Sequence, residues 1–241
     1  LYGGLFRDIL RRKVGFDLDV NFSAPATELF DVCQRKGYKS ELRFDGEYLL
    51  IGDDANDVYI EGFAITHNPP QSHTADFSMN QLFYDFENDL IIDKFGDAVP
   101  SVAANRCEIP CPRAKWPSWL QSNGSRVLFR FYKFLLRGCS YAEPSLAYVA
   151  QQLMQFWARD EQETISIGRT ALGDLVGSSD STQLEFLQGL VFKSFDLAQR
   201  DTPPVDNSDQ KTLPGFLSAS DWWRHGWLRL LQPAGAAKLG G

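Results

Sequence analysis

The stretch Phe16-Asp17-Leu18-Asp19-Val20-Asn21-Phe22 alternates strictly between apolar and polar residues. A period of two is the mark of a β-strand with one covered and one open face. Phe16, Leu18, Val20 and Phe22 are expected to face a core, while Asp17 and Asp19 project in parallel from the other face. Alternation of this kind is what any half-exposed strand shows. It also places two hard-oxygen donors side by side, as Mg²⁺ requires.

The preceding residues narrow the reading. Gly3-Gly4 leads into Leu5, Phe6, Ile9 and Leu10 at helical spacing, which predicts a short helix from Leu5 to Lys13 entered through a glycine turn. Backbone amides at such a helix start suit a triphosphate, and Arg7 adds a charge-assisted contact. The chain opens at Leu1 without an initiator Met, so this start is read as a processed or trimmed one, compatible with a targeting peptide.

Further along, the pattern predicts a helix from Ala26 to Lys36 and strands at Tyr48 to Ile51 and Val58 to Thr66. Asp53-Asp54-Ala55-Asn56 forms a turn between those strands. Pro69-Pro70 makes His67 to His73 an irregular loop. A helix near Met79 to Phe83 and a strand at Leu90 to Ile92 follow. Glu61 can bring a third carboxylate from a strand neighbouring Asp17 and Asp19. Beyond Trp116-Pro117 the period becomes helical, over about 126 to 137, 145 to 159 and 183 to 200. Residues 201 to 215 read as a linker, and Trp222, Trp223 and Trp227 then lie on a short segment that must bury against something, with docking to other protein subunits the favoured use and stacking on bases the alternative.

Charge is unevenly spread. Residues 1 to 100 carry nine Lys or Arg against eighteen Asp or Glu, and residues 101 to 160 carry eight against three. An acidic lobe beside a basic one suits a metal-dependent enzyme that grips a polyanion. Arg126, Arg130, Lys133 and Arg137 recur at spacings of four, three and four, so they share one helix face that can track RNA phosphates or simply be solvated. No apolar run approaches the ~18 residues of a membrane span, so a soluble chain is expected. Cys33, Cys107, Cys111 and Cys139 are too few for a disulfide framework and point to a reducing compartment, an organelle such as a mitochondrion or plastid included. Cys107-x3-Cys111 lacks the second ligand pair that a structural zinc site needs.

Gly3-Gly4-x-x-Arg7-Asp8-x-Leu10 followed by Asp17-x-Asp19 resembles the first signature of class II nucleotidyltransferases, the group of CCA-adding enzymes and bacterial poly(A) polymerases. Glu61 falls where that family has its third carboxylate. Asp76-Phe77-Ser78-Met79-Asn80-Gln81-Leu82-Phe83-Tyr84-Asp85 is similar to the family's second block, and Leu90 to Gly96 to the strand and turn after it. Arg130-Phe131-Tyr132-Lys133-Phe134 running to Ala142-Glu143-Pro144 resembles the neck helix and its ending.

The resemblance implies an α+β fold: a polymerase-beta-like head with a five-stranded or similar mixed sheet over residues 1 to 118, a helical neck-like region over 119 to 200, and a linker with the tryptophan-rich segment over 201 to 241. It implies Mg²⁺ held in a two-ion site by Asp17 and Asp19, with Glu61 as the third catalytic carboxylate. Gly3, Gly4, Arg7, Asp8, Asp76 and Asn80 would contact the nucleotide, and the partners would be an NTP and an RNA 3′ end. Two departures stand out. Thr74-Ala75 replaces an arginine pair before Asp76, and Asn123, Gly124 and Val127 occupy the places of the family's Glu-Asp-x-x-Arg motif, whose aspartate and arginine read the base, with Arg126 one residue out of register. Two readings follow. One is an RNA nucleotidyltransferase with altered nucleotide choice; the other is a degenerate relative serving as an RNA-binding or scaffold subunit, for instance of an organellar ribonucleoprotein.

Overall fold

The alternation at Asp17 does produce a strand. A computed structural model describes residues 17–22, 24–53, 58–64, 76–85, 88–93, 95–173, 176, 181–201 and 219–231. The predicted helix from Leu5 to Lys13 and the loop from His67 to His73 lie outside them. The chain divides into two compact units, Leu1–Pro110 and Cys111–Gly241.

The first unit is built on a four-stranded mixed sheet in the order β1-β4-β3-β2. Its strands are β1 (Asp17–Phe22), β2 (Lys39–Arg43), β3 (Tyr48–Asp53) and β4 (Val58–Ala64). β1 runs parallel to β4, whereas β2, β3 and β4 form antiparallel neighbours. Register and pleat sort the residues into two faces. Leu18, Val20, Phe22, Leu42, Leu49, Ile51 and Ile60 share one, and Asp17, Asp19, Arg43, Tyr48, Tyr59 and Glu61 share the other. Helix α1 (Ala26–Lys36) covers the apolar face, where Leu49 is fully buried and Gln34 Nε2 donates to Ser40 Oγ at 2.9 Å. This helix stops at Gly37, whose φ of 77° is left-handed and suits glycine.

Gly62 makes the β1–β4 contact possible. A Cβ there would lie 1.6 Å from the Val20 carbonyl oxygen. Only glycine fits.

The helix expected near Met79 to Phe83 is not formed. Ser78–Asn80 makes a single 3-10 turn, and Leu82–Asp85 is strand β5, antiparallel to β6 (Leu90–Asp93). The hairpin wins because its turn is locally bonded: Asn88 Nδ2 donates to Asp85 Oδ2 at 2.7 Å and Tyr84 Oη donates to Asp89. Leu90 and Ile91 on β6 remain 56% and 59% exposed. Helix α2 (Ala98–Ala103) follows, its Val99 N–H bonded to Asp93 Oδ2 at 3.0 Å.

The second unit is helical: α3 (Trp116–Asn123), α4 (Arg126–Leu136), α5 (Glu143–Arg159), α6 (Glu161–Leu172), α7 (Ser181–Asp201) and α8 (Ala219–Leu231). Pro144 sits in the first turn of α5, where its missing N–H costs nothing. Asp160 caps α6 by accepting the Glu163 N–H at 2.9 Å. α4 buries Val127, Leu128, Phe129, Phe131, Tyr132, Phe134 and Leu135. Phe129, Tyr132, Trp157, Trp223 and Trp227 then form one aromatic core, with ring centroids 4.8 to 6.1 Å apart.

Two small residues let these helices approach. A Cβ on Gly226 would meet the Trp157 ring at 2.7 Å, and one on Gly168 would meet Leu230 at 2.3 Å and Phe129 at 2.9 Å. A buried chain of bonds links three helices: Tyr132 Oη donates to Ser194 Oγ at 2.8 Å, Ser194 Oγ to the Val191 carbonyl at 2.8 Å, and Trp223 Nε1 to that same carbonyl at 3.1 Å.

Candidate active site

Backbone register brings the three candidate carboxylate residues onto adjacent strands. Asp19 is the register partner of Glu61, and Asp17, two residues earlier on β1, is the partner of Tyr59. Paired residues of parallel strands share a face, so the backbone places all three residues on two adjacent strands. The side chains of Asp17 and Asp19 lie outside the described set. Among the described residues no group of three or more His, Cys, Asp or Glu forms a metal cluster. The donor types nonetheless fit a hard divalent cation, being carboxylate oxygens alone.

Glu61 is half-buried on β4, and Oε2 of its carboxylate accepts a hydrogen bond from the Tyr48 hydroxyl. Tyr48 pairs with Phe63 while Leu50 pairs with Glu61, so Tyr48 reaches Glu61 along the diagonal of the β3–β4 ladder. Arg43 stands opposite Tyr48 on β2 and is held by Glu41 through a fork of 3.0 and 2.9 Å. Glu41 raises the Arg43 pKa most, with Tyr48 and Glu61 adding to it. Arg43 in turn holds Glu41 below the usual carboxylate range, chiefly through the hydrogen bond.

Asp76, just before the 3-10 turn, meets Asn80 at the turn's end. Asp76 Oδ1 accepts the Phe77 N–H at 2.9 Å and Asn80 Nδ2 at 2.7 Å, and Asn80 is buried. Next to them Gln81 is 1% exposed, and neither of its amide atoms has a hydrogen-bond partner among the described residues. Gly3, Gly4, Arg7 and Asp8 lie outside the described residues, as do Thr74 and Ala75.

In the helical unit, Arg126, Arg130, Lys133 and Arg137 line one stripe of α4 and its C-cap. Almost every other residue of that helix is buried, so its water-facing strip is cationic from end to end. Asn123 and Gly124 fall at the break before α4, where Asn123 Nδ2 donates to the Trp119 carbonyl at 2.9 Å. Val127 is in the core. The expectation that the tryptophans dock another subunit needs correction for two of them. Trp223 and Trp227 are consumed by the unit's own aromatic core, because α8 packs them onto Trp157 and Tyr132. The side chain of Trp222 is outside the described set. No described helix is long and apolar enough to cross a membrane.

Sequence reading missed Tyr48. Its role is legible only once the β3–β4 register is known.

Solved structures supply the fold's relatives. The chain superposes on a tRNA nucleotidyltransferase complexed with a primer tRNA and an incoming ATP analog, with a TM-score of 0.62 at 16% identity over 81% of this chain and 57% of that one. It is similar to a CCA-adding enzyme in complex with ATP, with a TM-score of 0.62, 15% identity and coverage of 86% and 50%. A tRNA-processing enzyme with CTP gives 0.59, 16%, 82% and 53%. At this identity the likeness establishes the fold, an α+β nucleotidyltransferase head with a helical region. The chain spans about half the length of these proteins. No protein-family profile and no curated protein sequence matches it.

Proposed function

We propose that the chain is the head and neck of an RNA nucleotidyltransferase, joining a nucleoside monophosphate from an NTP to an RNA 3′ hydroxyl. The bond formed is between the 3′ oxygen and the α-phosphorus. The bond broken links that phosphorus to the departing pyrophosphate, and the hydroxyl proton leaves to solvent. The observation that carries this reading is the register of Asp19 with Glu61, with Asp17 two residues before it. Asp17 and Asp19 would hold Mg²⁺, and Glu61 would assist. When bound, Mg²⁺ lowers the pKa of the attacking hydroxyl and neutralises the pyrophosphate. Gly3, Gly4 and Arg7 would hold the triphosphate, with Asp8 fixing Arg7 or the helix entry. Asp76 and Asn80, already bonded to each other, would meet the nucleotide. The α4 stripe would track RNA phosphates.

The test is incubation with labelled tRNA or an oligoribonucleotide, Mg²⁺ and each NTP in turn. The expected outcome is 3′ extension that Asp17→Ala/Asp19→Ala reduces to background. Equal products from both proteins would sink the enzyme reading. The altered positions Thr74, Ala75 and Gly124 favour the second reading, an RNA-binding subunit without catalysis. In that case RNA would still be retained in a gel shift and lost on charge reversal of Arg126 and Arg137.

A further inference from the structure

We infer that Tyr48 is a positioning residue of this site, fixing the Glu61 carboxylate through its hydroxyl so that Oε1 remains to meet a divalent cation. The inference rests on the metal-dependent reading above and extends it to a residue outside the carboxylate set.

Three observations carry it. The first is the bond itself, donated by Tyr48 Oη to Glu61 Oε2. A carboxylate with one oxygen already bonded loses rotational freedom, and outer partners of this kind orient metal ligands.

The second is what Glu61 is not paired with. Arg43 lies opposite Tyr48 on the same face, and an arginine bound to Glu61 would compete with a cation for it. The fork to Glu41 holds Arg43 elsewhere, at 2.9 and 3.0 Å. Among the described residues the hydrogen-bond donor to Glu61 is a neutral hydroxyl, while Arg43 acts on Glu61 through charge at a distance.

The third is the construction behind the ring. Phe44, Asp45 and Gly46 have φ of 51°, 55° and 87°, all left-handed, and two of them are not glycine. A bulky residue such as Phe takes that conformation only where its surroundings impose it. The consequence is a Phe44 ring set edge-on to Tyr48, with centroids 5.5 Å apart and planes at 87°. Phe44 is 67% exposed, so burial does not account for the strain. These residues make the turn from β2 to β3, and the turn sets the Phe44 ring against Tyr48.

The experiment is Mn²⁺ titration of the full chain by electron paramagnetic resonance, with melting temperatures recorded in parallel. Tyr48→Phe keeps the ring and removes the hydroxyl, and is expected to weaken Mn²⁺ binding by about tenfold or more at an unchanged melting temperature. Glu61→Gln should weaken it at least as much. The double variant should bind no worse than Glu61→Gln alone, since Tyr48 acts through Glu61. Phe44→Gly suits the left-handed backbone and removes the ring set against Tyr48. It should weaken Mn²⁺ by a smaller factor while leaving the melting temperature level or raised. Wild-type affinity in Tyr48→Phe, or a further additive loss in the double variant, would overturn the inference alone. Wild-type binding no better than that of Asp17→Ala/Asp19→Ala would overturn the metal-dependent reading and this inference with it.

Discussion

In the unit ending at Pro110, a sheet covers one face with a helix and carries a mixed set, Tyr48, Leu50 and Glu61 among them, on the other. In the unit beginning at Cys111, helices close on a cluster of large rings. The sheet unit is organised by its backbone: ladder register aligns Asp19 with Glu61, and a missing Cβ at Gly62 lets β1 approach β4. The helical unit is organised by side-chain volume. Trp157, Trp223 and Trp227 touch one another and are all buried. The division of labour is physical. The proposed metal site needs carboxylates left in reach of solvent and ligand, which sacrifices burial, whereas aromatic packing supplies stability without leaving a polar face.

Three substitutions test that contrast. The largest effect is expected from Trp223→Ala, which empties the ring cluster and strips a donor from the Val191 carbonyl. It should cost about 3–5 kcal/mol in denaturant melts, with amide exchange accelerated along α5, α7 and α8. Equal acceleration in β3 and β4 would break the contrast. Gly62→Ala should come next, at about 2–3 kcal/mol, because a methyl group collides with backbone rather than with a movable side chain. Its amide-exchange signature should fall on β1 and β4. The loss of Mn²⁺ binding should exceed what the stability change explains.

Tyr132→Phe is the mildest. Burial, the largest cause, pushes the Tyr132 hydroxyl far above its ordinary 10.0. The sign follows from linkage: a group whose folded pKa is raised stabilises the fold below the unfolded pKa, and that contribution fades as pH climbs toward the folded value. Wild-type melting temperature should therefore fall above about pH 10. Tyr132→Phe should lose about 1 kcal/mol near neutrality with the Ser194 bond, and should show a shallower alkaline decline. Parallel declines would show that Tyr132 carries none of the alkaline sensitivity.

Much of the sheet was legible in sequence because its signal is local. Alternation around Asp17 and Asp19 marks β1, and Ala26 to Lys36 reads as a helix at the bounds observed. The 3-10 turn at Ser78 and strand β5 were misread as one helix. Met79, Leu82 and Phe83 fit helical spacing, and only the partner strand β6 decides otherwise. β2 was missed because Lys39 to Arg43 is mostly charged; its place comes from pairing with β3. Helix α6 had a local signal, Asp160-Glu161-Gln162-Glu163, an N-cap with an acidic first turn. The diagonal between Tyr48 and Glu61 had none. Neither did the burial of Trp223 and Trp227, since a tryptophan reads alike whether it meets its own chain or another.

Gly168 and Gly226 carry a meaning beyond packing. Each is defined by an excluded volume, the space of Leu230 and Phe129 at one and of the Trp157 ring at the other. Constraints of that sort specify shape and leave chemistry free, so a helical unit can exchange most of its apolar letters for others of like volume and keep its form. A fold of this kind is stored in clearances between helices rather than in an alphabet, which is how it can be shared at 16% identity while no sequence profile matches.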